Sequence, residues 1–246
     1  MKKTISTLIL IFFSVLVLQA QRKDSVAIYI LDQMTQVMGD LNSFSVNIET
    51  AYDIPAGKLG LVKKTNSHEV TVKGNKMLNL WSEGDKGRKG FWYNNNVLHY
   101  YSADKGYYGH IEAPATIIEM IDLANEKYGF DFPGVDFWYS SFLEDLMEEF
   151  SNIHYLGLTN VDGIECFHII ASDGILSAQI WIEKSIYFLP KKLVLNYLKQ
   201  EHSPQYEALY LNWELNKTFP DAIFNFTPPP NSKKILIKEK TEYYEK

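Results

Sequence analysis

Cysteine is nearly absent from the 246-residue chain: Cys166 is the only one, so no intramolecular disulfide can form. Cys166 lies in an alternating stretch, residues 164–170, and is interpreted as a small buried hydrophobe rather than as a nucleophile. Positive charge is also scarce, with 24 lysines and arginines against 30 acidic residues. Because nucleic-acid affinity depends on clustered lysine and arginine, this balance argues against a nucleic-acid partner.

Long hydrophobic runs are missing as well. The apolar stretch at residues 5–18 is shorter than the about 20 residues that a membrane span needs. It follows Lys2 and Lys3 and precedes Ala20, which is the layout of a secretory signal peptide. We therefore expect residues 1–20 to be cleaved, with an uncleaved N-terminal anchor as the alternative. Cleavage removes two of the 24 basic residues and leaves 22 against 30 acidic ones, a net charge of −8.

Recognisable catalytic and metal-binding motifs are lacking too. No two histidines have the i, i+4 spacing of a helical metal site, and His99 and His110, on neighbouring predicted strands, have no third ligand. Residues 84–90, GDKGRKG, lack the ending of a phosphate-binding loop and are expected to form a hairpin tip. The acidic residues within 144–149 fit a solvated helix stripe. The sequence predicts no metal, no cofactor and no enzymatic activity, with a hydrolase triad assembled from distant residues as the less favoured alternative.

Alternating apolar positions are abundant and indicate strands. Residues 25–41 have apolar side chains at spacings of three and four, which predicts an N-terminal helix, and residues 113–129 and 134–150 predict two central helices. The rest alternates between turn signals such as Asp-Gly at residues 162–163. This order predicts an α+β fold, with one curved antiparallel sheet, an incomplete and half-open barrel, whose concave face is covered by the three helices.

Aromatic residues are dense, with 16 tyrosines, 14 phenylalanines and five tryptophans. Strand preference and cross-strand pairing explain much of this density. Several strands nevertheless have apolar side chains on both faces, as at Ile180, Trp181 and Ile182. This pattern favours a deep concavity under helices with aromatic faces.

An ordered set of short motifs carries a family resemblance: a Val-Asp-Gly turn followed by Cys and His, then Ile-Trp-Ile-acid, Leu-Pro-x-Lys-Leu, a strand with Trp, and Phe-x-Phe-x-Pro-Pro. The matching residues are Val161, Asp162, Gly163, Cys166, His168, Ile180, Trp181, Ile182, Glu183, Leu189, Pro190, Lys192, Leu193, Trp213, Phe224, Phe226, Pro228 and Pro229. In these positions the chain resembles a family of predicted bacterial periplasmic proteins of unknown function.

The resemblance implies a periplasmic location and a fold similar to the outer-membrane lipoprotein carrier and receptor proteins LolA and LolB. In that wider superfamily an incomplete barrel closed by helices binds acyl chains, and a related domain senses misplaced lipoproteins. It implies a LolA/LolB-like domain over residues 21–232, and we expect residues 233–246 to form a charged C-terminal tail that frays. No lid residue of the carrier aligns with this sequence, so none is transferred.

These observations predict an exported, non-catalytic and monomeric binding protein that holds a lipid, an acyl chain or an acylated protein between sheet and helices. The alternative is an envelope sensor or scaffold that binds a protein partner. In that case the space between sheet and helices is only hydrophobic core and holds no ligand. The predicted cavity wall comprises Leu78, Leu80, Ile180, Ile182, Leu193, Leu195, Leu209, Leu211 and Trp213. The predicted lid comprises Ile117, Ile121, Phe137 and Trp138. A register slip of one position would turn each wall residue to the other face.

Overall fold

The structure, a computed structural model, describes residues 23–240. The predicted signal peptide, residues 1–20, and residues 241–246 of the predicted tail lie outside the described residues. The described chain contains three α-helices, which we name α1 (Ser25–Asp40), α2 (Ile117–Tyr128) and α3 (Phe142–Glu149). None of the helices described is both long enough and apolar enough to cross a membrane.

Within residues 23–240, twelve strands form one sheet. They are β1 (Ser43–Pro55), β2 (Leu61–Lys73), β3 (Met77–Gly84), β4 (Gly87–Asn94), β5 (Val97–Ser102), β6 (Tyr107–Glu112), β7 (Asn152–Val161), β8 (Ile164–Ser172), β9 (Leu176–Glu183), β10 (Pro190–Tyr197), β11 (Gln205–Leu215) and β12 (Lys233–Lys234). Their order in the sheet is β12-β6-β5-β4-β3-β2-β1-β11-β10-β9-β8-β7. Two antiparallel meanders, β1–β6 and β7–β11, thus meet where β1 pairs with β11, and only β12 runs parallel to its neighbour. The predicted α+β class, with one curved sheet that does not close into a barrel, is confirmed.

The helices begin and end at the signals that the sequence contains. The Asp24 side chain caps α1 by accepting a hydrogen bond from the Val26 amide at 2.8 Å. Thr116 and Glu119 form a capping box at the start of α2, and Gly129 ends that helix in the left-handed conformation. The second central helix is shorter than predicted, because its first part forms only a 3-10 turn (Asp136–Trp138) before α3.

The hydrophobic core lies between one face of the sheet and the three helices. Helix α1 contributes Ala27, Ile30, Leu31, Met34 and Met38, which share one face at helical spacing. The inner face of the sheet contributes the alternate residues of its strands, such as Val46, Val70 and Leu80, which are cross-strand neighbours. The remaining core residues of α2 and α3 include Met120, Leu143 and Leu146. The helices are thereby fixed on the concave side.

The chain after β11 crosses the opposite, convex face as residues 216–232, which contain a 3-10 turn (Asp221–Phe224) and which we call the strap. Phe224 is buried against the sheet, and Phe226 packs among aromatic rings that include Trp92, 4.9 Å away between ring centroids. Beyond the strap, β12 pairs with β6, and the Lys240 amide donates to the Lys127 carbonyl of α2 at 2.7 Å. Residues 233–240 of the expected tail thus form backbone hydrogen bonds with the edge of the sheet and with α2, and the fraying of this tail stays a prediction.

Candidate functional site

Most of the predicted cavity wall lies in the solid core of the protein. Leu78, Leu80, Ile180, Ile182 and Leu193 are buried and pack in the cluster between sheet and helices. The predicted lid residues Ile117, Ile121 and Phe137 are buried in the same cluster, and Trp138 packs edge-on against Phe44 with ring centroids 5.4 Å apart. The centre of the half-barrel is thus filled by the protein's own side chains, and a ligand-binding role for these residues stays a prediction.

Leu209 and Leu211 were expected on the concave wall together with Trp213, and this placement is wrong for the two leucines. A bulge in β11 explains it: Asn212 has a φ of +54° and the pairing with β1 shifts there by one residue. Tyr210 and Trp213 both pack on the core side, whereas Leu209 and Leu211 lie outside the core cluster on the other face. The alternate residues 209, 211 and 213 therefore do not share a face: the first two point away from the core, and residue 213 points towards it.

The large open cavity lies towards one end of the half-barrel. This cleft has a volume of about 930 Å³ and lies between the inner face of the sheet and the segment that follows α2, residues 129–136, which we call the cover segment. Leu195 is the predicted wall residue that lines it. The cleft is lined by Thr50, Tyr52, Asp53, Asn66, His68, Ser82, Lys86, Gly87, Lys89, Phe91, Tyr100, Asn125, Gly129, Phe130, Asp131, Phe132, Pro133, Gly134, Asp136, Leu195, Tyr197, Gln200, Pro204, Gln205 and Tyr206.

The cover segment is held on the sheet by a close backbone approach. Gly134 has a φ of +75°, and a side chain there would place its Cβ 3.0 Å from Ile48 Cδ1 and 3.1 Å from Tyr210 Oη. The Tyr210 hydroxyl donates a hydrogen bond to the Gly134 carbonyl at 2.9 Å in the buried interior. The segment is therefore anchored on the sheet at Gly134 and forms a roof over the cleft.

Aromatic rings form one wall of the cleft. Phe130 of the cover segment stacks on Tyr100 of β5, with ring centroids 5.2 Å apart, and meets Phe91 of β4 edge-on at 5.4 Å. Phe132 lies 5.1 Å from Phe91. These contacts give the cleft an apolar side where β4 and β5 face the roof.

A polar row crosses the sheet beside the aromatic wall. His68, Ser82, Lys89 and Ser102 are direct neighbours in register on β2, β3, β4 and β5. His68 Nε2 shares a hydrogen bond of 3.0 Å with the Thr50 hydroxyl, and its Nδ1 has no partner. Burial lowers the pKa of the His68 imidazole to about 4, so the ring is neutral at neutral pH. The floor of the cleft thus offers hydrogen-bonding groups rather than fixed negative charge.

Charges are distributed unevenly around the cleft. Burial, followed by the positive charge of Lys86, lowers the pKa of Lys89 on the β4 side. Asp136 lies on the cover segment. Protein atoms packed around its carboxyl group raise the pKa, although part of the side chain remains exposed to solvent. Burial also raises the pKa of Tyr206, next to which Asp136 lies. The cleft therefore has cationic side chains at the β3–β4 hairpin and acidic side chains, Asp131 and Asp136, on the cover segment, and Asp131 is close enough to Lys89 to favour its charged form.

A second concavity of about 520 Å³ runs between α2 and α3. Its floor is apolar and includes Ile121 of the predicted lid, Phe142 and Leu146. Its rim carries acidic side chains from both helices, and it shares Phe132 and Asp136 with the cleft. The roof of the cleft therefore forms a side of this groove as well.

The arrangement does not resemble a hydrolytic centre. The Thr50–His68 contact pairs a hydroxyl with an imidazole, but the free Nδ1 has no carboxylate to orient the ring, and a pKa of about 4 makes it a weak base. Burial raises the pKa of the Cys166 thiol to about 11, which disfavours a thiolate nucleophile. Between residues 23 and 240, no three His, Cys, Asp or Glu side chains are grouped to hold a metal ion.

Sequence reasoning missed most of the cleft because its residues come from hairpin ends and from a loop. The cover segment was recognised only as a break between two helices, and residues 84–90 only as a hairpin tip. The proximity of the two depends on the length of α2 and on the pairing of β3 with β4. The glycine-rich breaks were the available signal, since glycine permits close backbone approach.

Comparison with known proteins supports the architecture. The lipoprotein LppX from Mycobacterium tuberculosis is 14% identical, with a TM-score of 0.50 over 78% of this chain and 96% of that chain. LprF from Mycobacterium bovis is also 14% identical, with a TM-score of 0.50 over 80% and 97%. At this identity the likeness shows the fold alone.

Two further comparisons bear on classification. A LolA superfamily protein from Nitrosomonas europaea is 13% identical, with a TM-score of 0.38 over 80% of this chain and 96% of that one, which is too low to carry an argument. No protein with a curated description matches the sequence. The model of the family "Predicted periplasmic protein (DUF2092)" matches residues 27–238, nearly the whole described chain. The chain therefore belongs to this DUF2092 family of predicted periplasmic proteins.

Proposed function

We propose that the chain is an exported, non-catalytic binding protein that holds the apolar part of a lipid, an acyl chain or an acylated protein in the cleft. The observation that carries this proposal is the open volume of about 930 Å³ between the sheet and the cover segment. This volume lies in the range of about 300–1,000 Å³ typical of small-molecule sites. The binding site of the proposal thus lies at the end of the half-barrel and not at its filled centre.

The composition of the cleft suits an amphiphile. Phe91, Tyr100, Phe130 and Phe132 supply apolar surface on one side, and Leu195 and Tyr206 supply it on the other. Each Å² of apolar surface removed from water contributes about 25 cal/mol, so one buried alkyl chain supplies several kcal/mol without any charged contact. The polar row beside the aromatic wall can hydrogen-bond a head group at the same time.

The family description supports export. The matching family is described as periplasmic, and a periplasmic protein requires a route across the inner membrane, which the predicted signal peptide at residues 1–20 would supply. In an aqueous compartment between two membranes, a cleft of this kind would shield an alkyl chain from water.

A protein-binding role is the second candidate, and one surface favours it. Leu156 and Leu158 on the edge strand β7 are 53% and 45% exposed. An edge strand with exposed apolar side chains is suited to pairing with a partner chain. On this account, changes on β7 would abolish partner binding and leave lipid content unchanged.

The two candidates are separated by lipid analysis of the mature chain purified from a bacterial periplasm without detergent. Leu195 lines the cleft, whereas Leu209 on the neighbouring strand lies outside the core cluster on the opposite face, so Leu195→Arg and Leu209→Arg form a matched pair. We expect lipid or acyl mass to co-purify with the wild type and with Leu209→Arg and to be lost from Leu195→Arg, measured by native mass spectrometry and extraction. A wild-type protein that carries no lipid and takes up none when lipid is added would overturn the proposal.

A further inference from the structure

Lys89 is a half-buried cation in the cleft that forms no ion pair with any of the described residues. Between residues 23 and 240, ion pairs form at Lys63, Lys64, Lys73, Lys184, Lys192 and Lys217, but none forms at Lys89 or at its cleft neighbour Lys86. Burial and the positive charges of Lys86 and Lys105 destabilise the ammonium group, and only Asp131 opposes them. An incoming anion would relieve this unfavourable charge, since it would replace the lost hydration.

Hydroxyl groups flank Lys89 on the same face of the sheet. Ser82 on β3 and Ser102 on β5 are its direct cross-strand partners, and paired side chains of this kind are about 5 Å apart. Ser82 lines the cleft next to Lys86 and Lys89. An oxyanion that contacts the Lys89 ammonium therefore lies within reach of a second donor. Such charge-assisted hydrogen bonds are about twice as strong as neutral ones.

The apolar wall begins directly beside this position. Phe91 follows Lys89 by two residues on β4, so both side chains lie on the same face about 7 Å apart along the strand. Phe91 in turn contacts Phe130 and Phe132 of the cover segment. The alkyl chain of a ligand whose head group lies at Lys89 would run alongside this aromatic wall.

The acidic side chains of the cleft disfavour a ligand whose anionic head group points away from Lys89. Asp136, the last residue of the cover segment, lies near Tyr206 and would repel an anion there. Asp53 is neutralised by its ion pair with Lys63 at 3.0 Å. Lys89 thus attracts an anionic head group, with the neighbouring Asp131 acting against it, whereas Asp136 repels an anion near Tyr206.

We propose that the cleft selects amphiphiles with an anionic head group, carboxylate or phosphate, and that Lys89, assisted by Lys86 and Ser82, receives this head group. The inference rests on the proposed function and adds the chemistry of the ligand. It assigns a binding role to residues 84–90, which the sequence marked only as a hairpin tip.

The test compares three ligands with the same alkyl chain: laurate, dodecyl phosphate and dodecanol. Their affinities for the mature chain are measured at neutral pH by isothermal titration calorimetry below the micelle concentration of each ligand. We expect laurate or dodecyl phosphate to bind at least about tenfold more tightly than dodecanol. The anion that binds more tightly shows whether a fatty acid or a phosphate ester is the source of the head group.

Variants locate the head-group site. Lys89→Gln is expected to reduce the preference for the anions over dodecanol to about threefold or less, and Lys86→Gln is expected to reduce it by a smaller factor. Lys184→Gln is the control, because Lys184 pairs with Glu165 outside the cleft. Thermal unfolding checks that each variant folds, and Lys86→Gln keeps the test available if Lys89→Gln does not.

Equal affinity for all three ligands, or an anion preference that survives both cleft variants, would overturn the head-group inference and leave the proposed function intact. Failure of every ligand to bind would overturn both. Loss of anion preference in Lys184→Gln to the same extent as in Lys89→Gln would also overturn the inference, because it would show an effect of net charge alone.

Discussion

His68 shows how a single polar residue is accommodated in an apolar interior. It is only 2% exposed, makes one hydrogen bond to Thr50, and is kept neutral because burial lowers its pKa to about 4. In the unfolded chain a histidine has a pKa of about 6.5 and takes up a proton as the pH falls. The unfolded state then binds more protons than the folded state, so stability decreases on acidification from pH 6.5 towards pH 4.

Replacement of His68 by Gln should weaken this pH dependence. From the two pKa values, the wild type loses about 2 kcal/mol through His68 between neutral pH and pH 5, and His68→Gln does not. Burial also lowers the pKa of His99 and His168, so these groups likewise reduce stability as the pH falls. Burial raises the pKa of Asp136, so this group increases stability as the pH falls. These groups remain in both proteins, so the difference isolates His68.

Urea unfolding at neutral pH and at pH 5 measures this difference in the free energy of unfolding. His202→Gln is the control, because His202 is exposed in a turn. An equal loss of stability in the wild type and in His68→Gln would show that His68 is not the buried neutral group described.

The limits of sequence reasoning are clearest at single residues. Leu193 and Leu195 on β10 alternate regularly, and their core-facing side was predictable. Leu209, Leu211 and Trp213 show the same alternation, but the bulge at Asn212 changes the face between the second and third of them. Asn tolerates positive φ without requiring it, so its presence does not reveal a bulge.

At the scale of elements, the strap over the convex face links the C-terminal part of the chain to the first meander. Phe224 is 1% exposed, and the Asn79 side chain donates a hydrogen bond to the Ile223 carbonyl at 2.8 Å. The Asn94 side chain makes a similar contact with Asn225. The strap therefore covers aromatic surface on β3 and β4 that would otherwise be exposed to water.

Phe224→Ala should destabilise the protein by about 3–5 kcal/mol, the cost of removing a fully buried phenylalanine. The adjacent Ile223 is 37% exposed, and Ile223→Ala should cost less than about 1 kcal/mol. Urea unfolding of both variants gives the comparison, and hydrogen exchange of the β6 amides reports whether β12 detaches when the strap loosens. The packing of the strap would be contradicted if the two variants were equally stable.

Helices and strands were largely predictable, whereas the course of the strap was not. The caps of α1 and α2 and the Asp-Gly turns are local signals, because each is set by residues within a few positions of one another. The prolines of residues 228–230 correctly indicated the end of regular strands. Pairing of Lys233–Lys234 with β6 joins residues more than a hundred positions apart, and no local pattern specifies it.

At the scale of the whole molecule, the position of the cleft follows from how far the helices extend over the sheet. Helix α2 ends at Tyr128, and beyond it only the cover segment lies over the ends of β2, β3 and β4. Under the helices the concave face is filled, and under the cover segment it is open. The sequence predicted a concavity closed by helices, but its location depended on the register of twelve strands, which the composition of the strands does not determine.

Binding of an amphiphile in this cleft is measured by nuclear magnetic resonance of the mature, detergent-free protein titrated with laurate. We expect saturable chemical-shift changes at Ser82, Lys89, Leu195 and the cover segment, with little change at Leu209 on the opposite face. Changes concentrated at Leu156 and Leu158 on β7, or no saturable change anywhere, would contradict it.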